Sequence, residues 1–137
     1  MTLKYIKNIV LLTTFIATSL LANTQQEINH LLNYVKTTEC MYERNGDLHK
    51  GSAAVKHIQK KYDYFKDDIN SAEDFIRLSA SESTFSGNKY HILCPDKKSE
   101  NSQEWLLREL NNYRLTNANK TKWNYWSYNF LFLILSL

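Results

Sequence analysis

Glycine and proline are almost missing from this chain, three of the first and one of the second in 137 residues. Lysine, asparagine, tyrosine and isoleucine are abundant instead. An AT-rich coding sequence imposes that bias by itself, and no function is read from it. Other absences exclude more. No internal repeat and no long linker breaks up the chain. The uncharged run near the N-terminus, about 13 residues from Ile9 to Leu21, falls well short of the roughly 20 that a membrane-spanning helix needs. Acidic and basic residues, 14 and 17, nearly balance. Nucleic-acid binding calls for a clustered basic face, so composition gives no case for it. The four histidines, His30, His49, His57 and His91, lack metal-ligand spacing. No metal or other cofactor is expected, and no motif names a reaction.

What is present begins with a leader. Lys4 and Lys7 precede the greasy run, and Ala22 follows it. A basic start, a short apolar middle and a small residue to cut after form the layout of a secretory signal over residues 1–22. Cleavage near Ala22 would place the mature protein in the periplasm or outside the cell. It also removes two lysines and no acid, taking the formal net charge from +3 to +1. About 115 residues remain, enough for one domain and too few for two. Export in turn decides how the two cysteines are read. Cys40 and Cys94 can pair in one way only, and in an oxidising compartment a disulfide is the default.

The mature chain is expected to be a small α+β domain over residues 23–118, helix-rich, with a short hairpin or small antiparallel sheet. Ile28, Leu31, Leu32 and Val35 have the three-and-four spacing of one helical face. Asn45-Gly46 marks a tight hairpin turn after Cys40–Arg44, because both residues tolerate positive φ. Leu48–Lys50 forms the return strand, and Gly51-Ser52 opens a second helix with Ser52 as its cap. That helix puts Ala54, Ile58, Tyr62 and Phe65 on one side. Ser71–Asp74 reads as a variant capping box, opening a helix that buries Phe75, Ile76, Ser79 and Ala80. Ser86–Asn88 is a turn, and Tyr90–Cys94 is a strand stopped by Pro95. A last helix starts near Ser102 and sends Trp105, Leu106, Leu110 and Tyr113 inward.

Residues 119–137 do not fit this pattern. No charge follows Lys122, and Trp123 to Leu137 is aromatic and apolar. Such a stretch is too short to span a bilayer but suits a membrane surface. Its readings are a peripheral anchor, an element packed on the domain, or a stretch added beyond the domain's usual end by a frameshift. The polar Thr116–Asn119 segment is expected to close the domain, which favours the last of these.

Four segments and a closing helix carry a resemblance to a known family. They are Cys40-Met-Tyr-Glu-Arg44-Asn45-Gly46, Ala54-Val-Lys-His57-Ile58-Gln-Lys-Lys61-Tyr62, Ala72-Glu-Asp-Phe75-Ile76, Ser83-Thr-Phe-Ser86-Gly87-Asn-Lys-Tyr90, and the Trp105-Leu106-Leu107 helix. In order and spacing the chain resembles, over roughly residues 25 to 115, the exported bacterial proteins grouped as domain of unknown function 5329. Glu43 stands where an apolar residue is expected, and the aromatic tail lies outside the family's pattern. The resemblance implies an exported helical α+β domain and no assigned activity.

Among the polar residues, Arg44, Asn45, His57, Lys61, Ser86 and Tyr90 form the candidate site. His57 and Lys61 are four apart and share a helix face. A bridge from Cys40 to Cys94 would place Arg44 and Tyr90, each four residues from a linked cysteine, on one small sheet. The expected chemistry is a shallow site for a carboxylate or phosphate, with Arg44 as the bidentate contact. The plainer reading pairs Arg44 and Lys61 with Glu43, Asp63 or Asp74, leaves Asn45 to make the turn, and has His57 cap a buried contact. The expected function is a non-enzymatic binding or interaction module for a partner protein or an anionic envelope component. Two alternatives stand beside it: an envelope hydrolase using His57 with a serine or cysteine nucleophile, and a structural protein tethered to the membrane by its tail. Ser83, Ser86 and Gly87 have no strand–elbow–helix frame of the hydrolase type, so turn chemistry explains them.

Overall fold

A computed structural model describes residues 23–135, with side chains through Lys120. The proposed leader and the side chains of the aromatic tail lie outside the described residues. The first helix, α1, occupies residues 23–37. Strands β1 (Met41–Arg44) and β2 (Asp47–Lys50) follow, then helix α2 (Gly51–Phe65) with a short 3-10 turn at Lys66–Asp68. Helix α3 starts at Ala72–Phe75 and widens into a π-helical turn over Ile76–Ala80. Strands β3 (His91–Leu93) and β4 (Glu100–Asn101) lead into α4 (Ser102–Leu135). The class is α+β, with helices dominant.

The hairpin forms where the sequence expects it. Asn45 and Gly46 take φ of 53° and 89°, the two positive values that a tight antiparallel turn requires. The four strands are ordered β2-β1-β3-β4, antiparallel throughout. In β1 and β3, Met41, Tyr42 and Glu43 face Leu93, Ile92 and His91. One step outside each end of that register come Cys40 with Cys94 and Arg44 with Tyr90. The cysteines are joined, with Cα atoms 4.2 Å apart, and no described cysteine is free.

Alternation along a strand puts Cys40, Tyr42 and Arg44 on one face, and Tyr90, Ile92 and Cys94 on the matching face of the neighbour. That face meets the helices. Tyr42, Tyr90 and Ile92 pack into one core with Ile28, Leu31 and Val35 of α1, Ile58 of α2, Phe75, Ile76 and Ala80 of α3, and Trp105, Leu106 and Leu110 of α4. The end of α3 inside this core leaves the Ala80 carbonyl without a helical partner, which burial would penalise. The Tyr42 hydroxyl and the Ser102 hydroxyl both donate to it, the latter at 2.8 Å. Burial raises the Tyr42 pKa, so its phenol remains a neutral donor.

Charge is used inside the fold with equal economy. Glu27, 3% exposed, receives two hydrogen bonds from Arg114 at 2.7 and 2.8 Å, and Arg114 also donates to Glu73 at 2.6 Å. One guanidinium therefore ties α1, α3 and α4 together. Ser71 accepts from the Asp74 amide at 3.0 Å, and Asp74 accepts from the Asn70 amide at 3.3 Å, which is the expected capping box.

One expectation is corrected, and two features go beyond the sequence reading. Ser52 is not the cap of α2: the helix begins flush with β2, Lys50 holds the cap position, and no side chain caps it. The strand Glu100–Asn101 is a fourth strand that two polar residues did not announce; pairing with β3 is what makes it extended. The Thr116–Asn119 segment does not end an element, because α4 runs through it without a break. Threonine and asparagine are weak helix formers but not breakers, and the Thr116 hydroxyl returns to the Asn112 carbonyl at 2.9 Å. Among the described residues no helix is long and apolar enough to cross a membrane.

Candidate functional site

Tyr90 organises the polar end of the sheet. It is 1% exposed, and its ring lies edge-on to Tyr42 below. From α2, His57 Nε2 lies 3.2 Å from the Tyr90 hydroxyl, and one turn on the Lys61 ammonium sits 5.6 Å from the ring centroid. The four-residue spacing read from the sequence therefore delivers both side chains to the same tyrosine. The β1–β3 register brings Arg44 alongside. Asn45 is tied to the 83–87 loop through Ser86, whose hydroxyl donates to Asn45 Oδ1 at 3.2 Å.

Arg44, Asn45, His57, Lys61 and Tyr90 thus line one depression of about 320 Å³, with Ser86 bonded at its rim. Ser83, Thr84 and Phe85 complete the wall, and Phe85 is fully exposed. Those three escaped the sequence reading as site residues. An aromatic inside a polar turn was the available signal, but only the fold of the 83–87 loop against α2 sets it beside Lys61.

The ion pairs of the plainer reading are not formed. Glu43 pairs with His91 at 3.1 Å and accepts from the Gly46 amide. Asp63 accepts from Gln59, and Asp74 from Arg77. Lys61 donates instead to the Glu82 carbonyl at 2.6 Å, and the Glu82 carboxylate belongs to Lys89. Among the described residues the Arg44 guanidinium has neither a hydrogen bond nor an ion pair. The other part of that reading holds, since His57 does cap the buried Tyr90.

Burial, reinforced by the neighbouring charges of Arg44 and Lys61, lowers the His57 pKa to about 4. Burial also lowers that of Lys61, against the pull of Glu82, and raises that of Tyr90. At neutral pH the depression therefore holds two cations, Arg44 and Lys61, and a neutral imidazole. A histidine whose folded pKa lies below its unfolded value of 6.5 resists protonation only while the chain is folded. Its contribution to stability is complete above pH about 6.5 and is lost as pH falls toward about 4. Solvent at the half-exposed ring trims the effect to about 1 kcal/mol. Wild-type protein should lose more melting temperature between pH 7 and 4.5 than the His57→Gln variant; parallel profiles would remove His57 from this balance.

Of the nucleophiles named in the hydrolase alternative, both cysteines are in the bridge, and among the described residues no serine is hydrogen-bonded to His57. The Ser86 hydroxyl is directed to Asn45, and the Ser83 hydroxyl accepts from the Ser86 amide at 3.2 Å. Among the described residues no three His, Cys, Asp or Glu side chains are grouped to hold a metal.

A family model described as a family of unknown function, DUF5329, matches residues 22–114. The chain belongs to the DUF5329 family. The matched span contains every residue of the depression, the Cys40–Cys94 bridge and, at its last position, Arg114. The chain is also similar to the uncharacterized protein YfeK of Salmonella typhimurium strain LT2, at 34% identity over 70 residues. That alignment takes in 50% of this chain and 58% of YfeK, so the chain spans somewhat over half the length of that relative. No solved structure matches it.

Proposed function

We propose that this DUF5329 domain is a non-enzymatic binding module that works outside the cytosol and docks an anionic group at Arg44. One observation carries the reading: a guanidinium without an internal carboxylate sits in an open depression beside a second cation. Charged side chains of a folded surface usually find a counter-charge or point freely into water. Arg44 does neither. It is partly buried on the helix-facing side of the sheet, where its planar fork can take a carboxylate or phosphate through two parallel bonds. Export is supported by the bridge, since disulfides persist in oxidising compartments. The ligand's anionic group would belong to a partner protein or an envelope component.

The test is a titration of the oxidised protein with acetate and with inorganic phosphate, followed by amide and guanidinium chemical shifts. Arg44→Ala should weaken binding about tenfold while leaving the melting temperature in place, because the native Arg44 makes no bond that its loss would break. Equal binding by wild type and variant would end the proposal. So would a melting loss in Arg44→Ala large enough to account for the weaker binding.

A further inference from the structure

The depression does not end at Lys61. A second one, of about 220 Å³, adjoins it and shares Lys61, Ser83 and Thr84 with the first. Phe65 and Leu78 supply its apolar wall. Two charged residues also border it, and each is neutralised within the chain: Arg77 by Asp74 at 2.9 Å, and Glu82 by Lys89. The two depressions therefore differ in one respect: the first holds an unanswered guanidinium, whereas the second sets the side chains of Phe65 and Leu78 among charges that have partners within the chain, Lys61 on the Glu82 carbonyl among them.

Each depression also adjoins an exposed aromatic ring. Phe65 carries the ring of Tyr64 edge-on at 4.8 Å, and Tyr64 is 80% exposed. Phe85 is fully exposed on the charged side. Thr84 and Phe85 both line that charged side, and their main-chain amides have no acceptor among the described residues. Amides left free beside a groove suit a ligand that brings carbonyl oxygens of its own.

We propose that this bipartite groove captures the free C-terminus of an extended peptide, with the terminal carboxylate on Arg44 and an apolar side chain in the Phe65–Leu78 depression. The inference rests on the anion reading above and adds the class of ligand. Charge favours a carboxylate: Arg44 answers one negative charge, His57 is neutral at pH 7, and the Lys61 ammonium is already partly committed to the Glu82 carbonyl. The Phe65 and Leu78 side chains of the second half favour a ligand that continues past its anion as an apolar group, which a free inorganic ion does not.

The experiment uses the oxidised mature protein and an acetylated four-alanine peptide extended by one leucine, with either a free carboxylate or a carboxamide at its end. The acid should bind about tenfold more tightly than the amide, and Arg44→Gln should abolish that preference. An alanine-ended acid should bind about tenfold more weakly than the leucine-ended one, and Leu78→Ser should remove that difference while leaving acetate binding unchanged. The acid–amide and leucine–alanine comparisons need no variant, so a Leu78→Ser protein that fails to fold does not shield the proposal. Equal affinity for acid and amide, or no leucine preference, overturns it. If acetate and phosphate bind through Arg44 but the peptide binds no better than acetate, the anion site stands and the peptide reading falls. If none of these probes binds, both fall. Binding only to phosphatidylglycerol vesicles, indifferent to Arg44→Gln, likewise overturns it.

Discussion

Replacing Cys40 and Cys94 together by serine should lower the folding free energy by about 4 kcal/mol, the cost of a released loop of this length in the chain-entropy model. The bridge closes a sequence separation of 54 residues. It adds little to the native packing, because β1 and β3 are already paired by backbone hydrogen bonds between the two cysteines and the Arg44–Tyr90 end. Its action is on the unfolded chain, which loses the freedom to separate those strands. A domain of this size has a stability of roughly 5–15 kcal/mol, so the loss is a large share of the whole. Urea unfolding of the oxidised protein and the double serine variant measures it, through a lower midpoint and a steeper slope, since the unfolded chain without the bond expands and exposes more surface. A difference below about 1 kcal/mol would mean that the unfolded chain keeps these strands close without the bond. Thiol titration of native protein should find none free.

Gly51→Ala is expected to be as damaging, for a reason found entirely in the folded state. A Cβ at Gly51 would stand 2.0 Å from the Val35 carbonyl oxygen and 3.1 Å from that of Lys36. Both atoms are backbone at the end of α1, and neither can swing away as a side chain would. The residue's own dihedrals are ordinary, so closeness and not conformational freedom demands glycine here. Intrinsic preference points the other way, since alanine favours a helix over glycine by about 1 kcal/mol. Overpacking commonly costs 1–3 kcal/mol and occasionally more. With rigid backbone on the other side, about 3 kcal/mol of destabilisation should win over the propensity gain. The variant's urea midpoint reads the sign: a midpoint equal to or above wild type would show that α1 and α2 can separate at little cost.

These two positions also mark what could be read in advance. The bridge was legible, because two cysteines have one possible pairing and the leader-like N-terminus led to an oxidising compartment being expected. The demand at Gly51 was not, because the obstructing carbonyls belong to a helix that ended 14 residues earlier. The same divide runs through the candidate site. His57 and Lys61 share a helix face by spacing alone, and the bridge carries Arg44 toward Tyr90 by register. That Arg44 is left without a carboxylate was open until the rival acids were seen elsewhere: Glu43 on the opposite face of the sheet with His91, Asp74 closing its own capping box. The second depression had no trace in the sequence, since Phe65, Leu78 and Thr84 come from three different segments.

The amino-acid sequence by itself settled the local matters: helical faces at three-and-four spacing, the hairpin at Asn45-Gly46, the capping box at Ser71, the disulfide and the helix-rich α+β class. Each depends on interactions between residues close along the chain, or on a pairing with a single solution. Tertiary structure alone decided that Glu100–Asn101 is a strand, that α4 runs past Asn119, that the acids read as partners of Arg44 are engaged elsewhere, and where two depressions meet at Lys61. Those outcomes arise from contacts between distant segments, whose energies depend on packing geometry that no local pattern of residues encodes.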